Sequence, residues 1–146
     1  MHLAHDGVVA VTDGRKLLLL RNHGDEKMLD LRVETHRVQD NPPDREQGSD
    51  RSGRSMNSVG SHRGAMEETD FHQLEEDRFA AATVDLLNRR ALEDDFSALL
   101  VIAPPNTLGE MRKHYHKALQ GRIVGELDKD LANQPVPEIE RIVGQS

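Results

Sequence analysis

Two apolar runs near the start of the chain, Gly7 to Thr12 (GVVAVT) and Leu17 to Asn22 (LLLLRN), show no alternation of apolar and polar residues. A strand with one wet face alternates, so runs like these fit strands covered on both faces. The turn signal Asp13-Gly14 between them predicts an antiparallel pair. Residues 28 to 38, MLDLRVETHRV, then alternate, with Leu29, Leu31 and Val33 on one face and Asp30, Arg32 and Glu34 on the other, which predicts an edge strand. With no Trp, one Tyr and three Phe, the core must be built from Val, Leu, Ile and Ala. A length of 146 residues fits a single domain spanning 1–146, long enough to bury roughly two-thirds of its unfolded surface.

Periodicity is lost from about 39 to 70, where Pro42-Pro43, four glycines and many serines read as a long Gly/Ser/Arg loop. Asp70 with Gln73 forms a capping-box pair for a helix from Phe71 to about Glu93, whose apolar stripe includes Phe79, Ala80, Val84, Leu87 and Ala91. Ser97 to Ala103, SALLVIA, reads as a buried strand closed by Pro104-Pro105. Thr107 and Glu110 form a second capping box, opening a helix with Leu108, Met111, Tyr115, Ala118 and Leu119 on its apolar face. Arg122 to Leu127 reads as a fifth strand, and Pro137 opens a short final helix with Ile139, Ile142 and Val143. The order βββ, loop, αβαβα predicts an α/β fold. It is a three-layer αβα sandwich on a mixed five-stranded sheet in order 3-2-1-4-5, with the last strands parallel through right-handed crossovers.

The formal charge of −7 opposes general attraction to nucleic acid or to an anionic membrane, so any phosphate contact must use a local patch. The absence of cysteine removes disulfides, thiolate catalysis and thiolate metal sites, and fits a reducing compartment. The start of the chain carries no signal-like segment, and the longest apolar runs are far short of the ~20 residues that span a bilayer. The chain reads as cytoplasmic, with no membrane partner.

Two basic patches are candidate binding sites. In the loop, Arg51, Gly53, Arg54, Ser55 and Arg63, with Arg45 nearby, combine fork-shaped donors with accessible backbone N–H groups, the material of phosphate-binding loops. The other reading is a solvated loop whose arginines pair with Asp44, Glu46, Asp50, Glu67 and Glu68. On the helix after Pro105, Arg112, Lys113, His116 and Lys117 form a basic face that can meet phosphates or simply be the wet side of an amphipathic helix. No aromatic interleaving supports base stacking.

Catalytic signatures are thin. Asp13, Glu126, Asp128 and Asp130 are the carboxylates that a metal nuclease would need, but Asp13-Gly14 is equally what a tight turn requires. The eight histidines show no His-Glu-x-x-His spacing, and no Gly-x-Ser-x-Gly elbow occurs. No metal and no cofactor are expected.

Three segments, VTDGRKLLLL, SDRSGRSMNSVGSHRGAMEETDFH and VIAPPNTLGEMRK followed by VGELDKDL, resemble the bacterial host attachment family, proteins required for attachment to host cells. The resemblance covers nearly the whole chain. It implies a ribonuclease H-like αβα sandwich similar to the middle domain of archaeal and eukaryotic peptide-release factors. That domain acts through a Gly-Gly-Gln tip that places a water at the peptidyl-tRNA ester, and no Gly-Gly-Gln occurs in this sequence. The resemblance implies a cytoplasmic factor acting indirectly on attachment, by binding RNA or the translation machinery, and more a binding protein than an enzyme. An RNA-processing or peptidyl-tRNA-type hydrolase, and a protein-interaction module without nucleic-acid contact, are the other two readings.

Overall fold

The computed structural model describes residues 2–39 and 56–146, with side chains described at 2–39 and 71–146. Strands β1 (Val8–Thr12), β2 (Lys16–Asn22), β3 (Leu31–Val38), β4 (Leu99–Ile102) and β5 (Ile123–Leu127) form one sheet in order β3-β2-β1-β4-β5. β1 and β2 pair antiparallel, as do β2 and β3, whereas β4 runs parallel to both β1 and β5. The mixed α/β sheet is the one the sequence predicts.

The two faces explain the unbroken apolar runs. Val8 and Ala10 of β1, Leu17 and Leu19 of β2, and Leu99 and Val101 of β4 point to one layer. There they meet Ala80, Val84, Leu87 and Ala91 of the long helix α1 (Met56–Leu92), with Leu108 and Met111 of α2 (Pro105–Arg112) and Leu119 of α3 (Lys117–Gln120). Their neighbours Val9, Val11, Leu18, Leu20, Leu100 and Ile102 point to the other layer, against Leu3, Leu131 and Ile139 and Val143 of α4 (Val136–Gln145). Successive strand side chains alternate between faces, so a sheet packed on both sides needs an apolar residue at each position.

β3 is an edge strand whose apolar face carries Leu31 and Val33 as alternation suggests, but the face is only partly covered. Leu31 is buried, whereas Val33 is 44 % exposed. The register shifts here: Leu20 faces Val33 and Leu19 faces Thr35, leaving Glu34 as the extra residue of a bulge. β5, at the opposite edge, has a like shift that leaves Val124 unmatched between Ile123 and Gly125. Bulges on both outer strands disturb the ladder that another chain would need for edge pairing.

The Asp13-Gly14 turn forms as expected, and its carboxylate is committed to it. Asp13 Oδ1 accepts hydrogen bonds from the N–H groups of Arg15 and Lys16, both at 2.9 Å. Gly14 has φ +89°, and a Cβ there would lie 3.4 Å from Cβ of Glu76. Gly14→Ala is therefore expected to cost about 1–2 kcal/mol of stability, read as a lower urea midpoint at unchanged slope.

α1 is the main departure from the sequence reading. It begins at Met56, so residues 56–70, expected to continue the 39–70 loop, are helical. Asp70 lies inside the helix rather than at its cap, and the Gln73 side chain donates to Asp77 Oδ1 at 3.0 Å instead of closing a capping box. Gly60, Gly64 and the serines of this stretch have poor helix propensity and no apolar stripe. The packed half of the helix nevertheless supplies a nucleus from which further turns propagate without a new nucleation cost. At 1.5 Å per residue, the 37 residues span about 55 Å.

The second departure follows Pro105. Helix α2 starts there, with Pro104 at the cap position, so Thr107 is a buried helical residue and not a cap. The single helix expected to run on through Leu119 is broken at 113–116. Asn88 of α1, 5 % exposed, accounts for the break: its Nδ2 donates to the His114 carbonyl at 3.0 Å and its Oδ1 accepts from the His116 N–H at 3.1 Å. These bonds take the place of helical ones, so a buried polar side chain on one helix interrupts another.

Candidate functional site

The basic residues expected to share one helical face sit on two elements and a linker. Arg112 ends α2, Lys113 caps it, and Lys117 opens α3. Two of the three are held by carboxylates. Arg112 donates through Nε and Nη2 to Glu126 Oε1 at 3.1 and 2.8 Å, and Lys113 Nζ donates to Glu110 Oε1 at 3.1 Å. Tyr115 hydroxyl donates to the other Glu126 oxygen at 3.0 Å, and His114 Nε2 lies 3.1 Å from Glu110 Oε2. Burial, and then this bond to Glu126, push the Tyr115 phenol far above its ordinary range, so it stays protonated and serves as a donor. The hydrogen bonds from His114 and Lys113 hold the Glu110 carboxyl below its ordinary value. The cluster is an internally neutralised brace between α2 and β5.

The loop candidates fall elsewhere. Arg51, Gly53, Arg54 and Ser55 lie outside the described residues, and Arg63 lies in the backbone of α1 upstream of the residues whose side chains are described. The carboxylates weighed for metal chemistry are dispersed in role. Asp13 serves its turn, Glu126 serves Arg112 and Tyr115, and Asp128 and Asp130 are exposed beyond β5. Among the described residues no group of three or more His, Asp or Glu is placed to hold a metal ion.

A site with no linear signature lies where β3 ends against α1. Arg37, Val38 and Gln39 face Glu75, Arg78 and Phe79 across a cavity of about 380 Å³. Val38 and Gln39 also line a second cavity of about 240 Å³, with Arg15, His72 and Glu76. Gln39 Nε2 donates to the Glu75 carbonyl at 2.9 Å, tying the strand end to the helix. Arg15, Arg37 and Arg78 come from a turn, a strand and a helix, far apart in sequence. Only the sheet register, with Lys16 opposite Val38, brings the first two together.

A mixed five-stranded sheet in order 3-2-1-4-5 between helical layers, with charged surface clusters, defines an α/β domain. The chain belongs to bacterial archaeo-eukaryotic release factor family 12, whose family model matches residues 6–143. No curated protein matches the chain. Among the described residues, no helix is long and apolar enough to cross a membrane.

Proposed function

We propose that this protein is a non-hydrolytic factor of the translation machinery that binds RNA or ribosomes through phosphate contacts. The observation that carries the reading is the family match over 6–143, which joins the chain to release-factor-like domains along nearly its whole length. Three features support binding over hydrolysis. Gly-Gly-Gln is missing from the sequence, the Asp13 carboxylate is occupied by its own turn, and Tyr115 and Glu126 are locked to one another. The net charge of −7 confines phosphate contact to local basic patches. On this reading Arg51, Arg54 and Arg63, with the backbone at Gly53 and Ser55, are the main contacts. Arg112, Lys113 and Lys117 are weaker ones, because carboxylates already hold Arg112 and Lys113.

The reading places the protein in the cytoplasm and makes any effect on attachment to host cells indirect, through altered translation. It is tested by replacing Arg51, Arg54 and Arg63 together with Ala and measuring affinity for a labelled single-stranded RNA over a salt series. Loss of three phosphate contacts lowers affinity and flattens the slope of log K against log salt by about 2. Unchanged affinity and slope contradict the assignment of these residues.

A further inference from the structure

We propose that the grooved surface at the end of β3, where Arg37 and Arg78 line one cavity and Arg15 lines the adjoining one, is a second RNA-backbone contact, separate from the candidate residues of 51–63 and of α2–α3. The inference rests on the reading above and names a surface for it.

Three observations converge. The first is position. The groove lies at the carboxyl end of β3, where Arg15 of the turn after β1 and residues of α1 come beside Val38 and Gln39. The second is chemistry. Three guanidinium groups, the Gln39 amide and the His72 ring, beside the carboxylates of Glu75 and Glu76, line two adjoining cavities around one strand end, and these donors suit phosphate and ribose oxygens. Their intramolecular partners are easily given up. Arg15 reaches Glu76 through one contact at 3.5 Å and is 64 % exposed, and Arg78 meets Glu75 at 3.0 Å as a neighbour on the same helix, 65 % exposed. Exposed pairs of this kind contribute little, so a phosphate can replace the carboxylate at small cost. Arg112, by contrast, is fixed through two nitrogens to a Glu126 that Tyr115 also holds. The third is continuity along the chain. Gln39 lines both cavities and directly precedes the stretch that contains Arg45, Arg51 and Arg54.

The test compares two triple variants against wild type, using a labelled single-stranded RNA over a salt series, with thermal unfolding as a check on the fold. The groove variant is Arg15→Gln, Arg37→Gln and Arg78→Gln, which keeps much of each stem, and the comparison variant is Lys27→Gln, Lys129→Gln and Arg141→Gln, exposed basic residues outside every proposed contact. The groove variant is expected to melt like wild type, to lose at least tenfold in affinity at low salt, and to show a salt slope shallower by about 2. The comparison variant is expected to change affinity by less than threefold. Wild-type affinity and slope in a folded groove variant overturn the inference while leaving the function standing. Failure of the wild-type protein itself to bind RNA overturns both. If the groove variant does not fold, single Arg37→Gln, at an exposed edge position, decides on the same readout with an expected slope change of about 0.7.

Discussion

Asn22→Ala is expected to destabilise the protein by about 3 kcal/mol or more, a large share of the 5–15 kcal/mol that holds a domain of this size together. Asn22 is fully buried at the end of β2 and organises three segments at once. Its Nδ2 lies 2.9 Å from the Leu3 carbonyl, 3.3 Å from that of Ala4 and 3.2 Å from that of Asp25. Its Oδ1 accepts the N–H groups of Gly24 at 2.9 Å and Asp30 at 3.0 Å. Removing the amide takes the side-chain partner from the Leu3 and Asp25 carbonyls and from the N–H groups of Gly24 and Asp30, while the Ala4 carbonyl keeps the Gly7 N–H. The chain is packed so closely that a Cβ on Gly24 would lie 2.0 Å from the Met28 carbonyl oxygen. Asn22→Asp should be nearly as damaging, because a carboxylate cannot donate to the three carbonyls. Urea unfolding followed by circular dichroism reads the loss, and a change below about 1 kcal/mol would show that the network is dispensable.

Arg21→Met is the next largest expected effect, about 2–3 kcal/mol. The Arg21 side chain is 13 % exposed and holds four groups with its fork. These are Glu34 Oε1 at 2.6 Å, Asp95 Oδ2 at 3.1 Å, and the carbonyls of Asp6 at 3.0 Å and Asp95 at 3.1 Å. It therefore joins the segment before β1, the β3 bulge and the turn after α1. Its hydrogen bond with Glu34 raises the guanidinium pKa further, so the ion pair persists across ordinary pH. Arg21→Lys should recover only part of the loss, since a single ammonium cannot reach all four acceptors with the same geometry. Full recovery by Lys would mean that charge alone matters here.

The sheet was legible because its physics is local. Continuous apolar runs at GVVAVT and LLLL demand cover on both faces, and helix-linked strands run parallel, which leaves few sheet orders to choose from. The elements that departed from expectation are those set by contacts distant in sequence. Asn88 breaks the helix after Pro105 from another element, and Val33, on the same face as buried Leu31, is left half-exposed at the sheet edge. Turns of helix added to a packed core by propagation carried α1 upstream to Met56 through glycines that read as loop. The site divided in the same way. A basic run on one helix was visible, and Glu110 stands at pairing distance from Lys113 along it, yet Glu126, which holds Arg112 from β5, cannot be paired with it by spacing alone. Arg15, Arg37 and Arg78 gave no motif at all, because three separate elements bring them to two adjoining cavities.

The central claim is phosphate-dependent contact with the translation machinery, and sedimentation of the full chain with purified bacterial ribosomes tests it most directly. At low salt the protein is expected to travel with the ribosomal fractions, and to be released as salt rises through a few hundred millimolar, as counterion-linked phosphate contacts require. Protein that stays at the top of the gradient at every salt concentration, while folded by circular dichroism, would contradict the account.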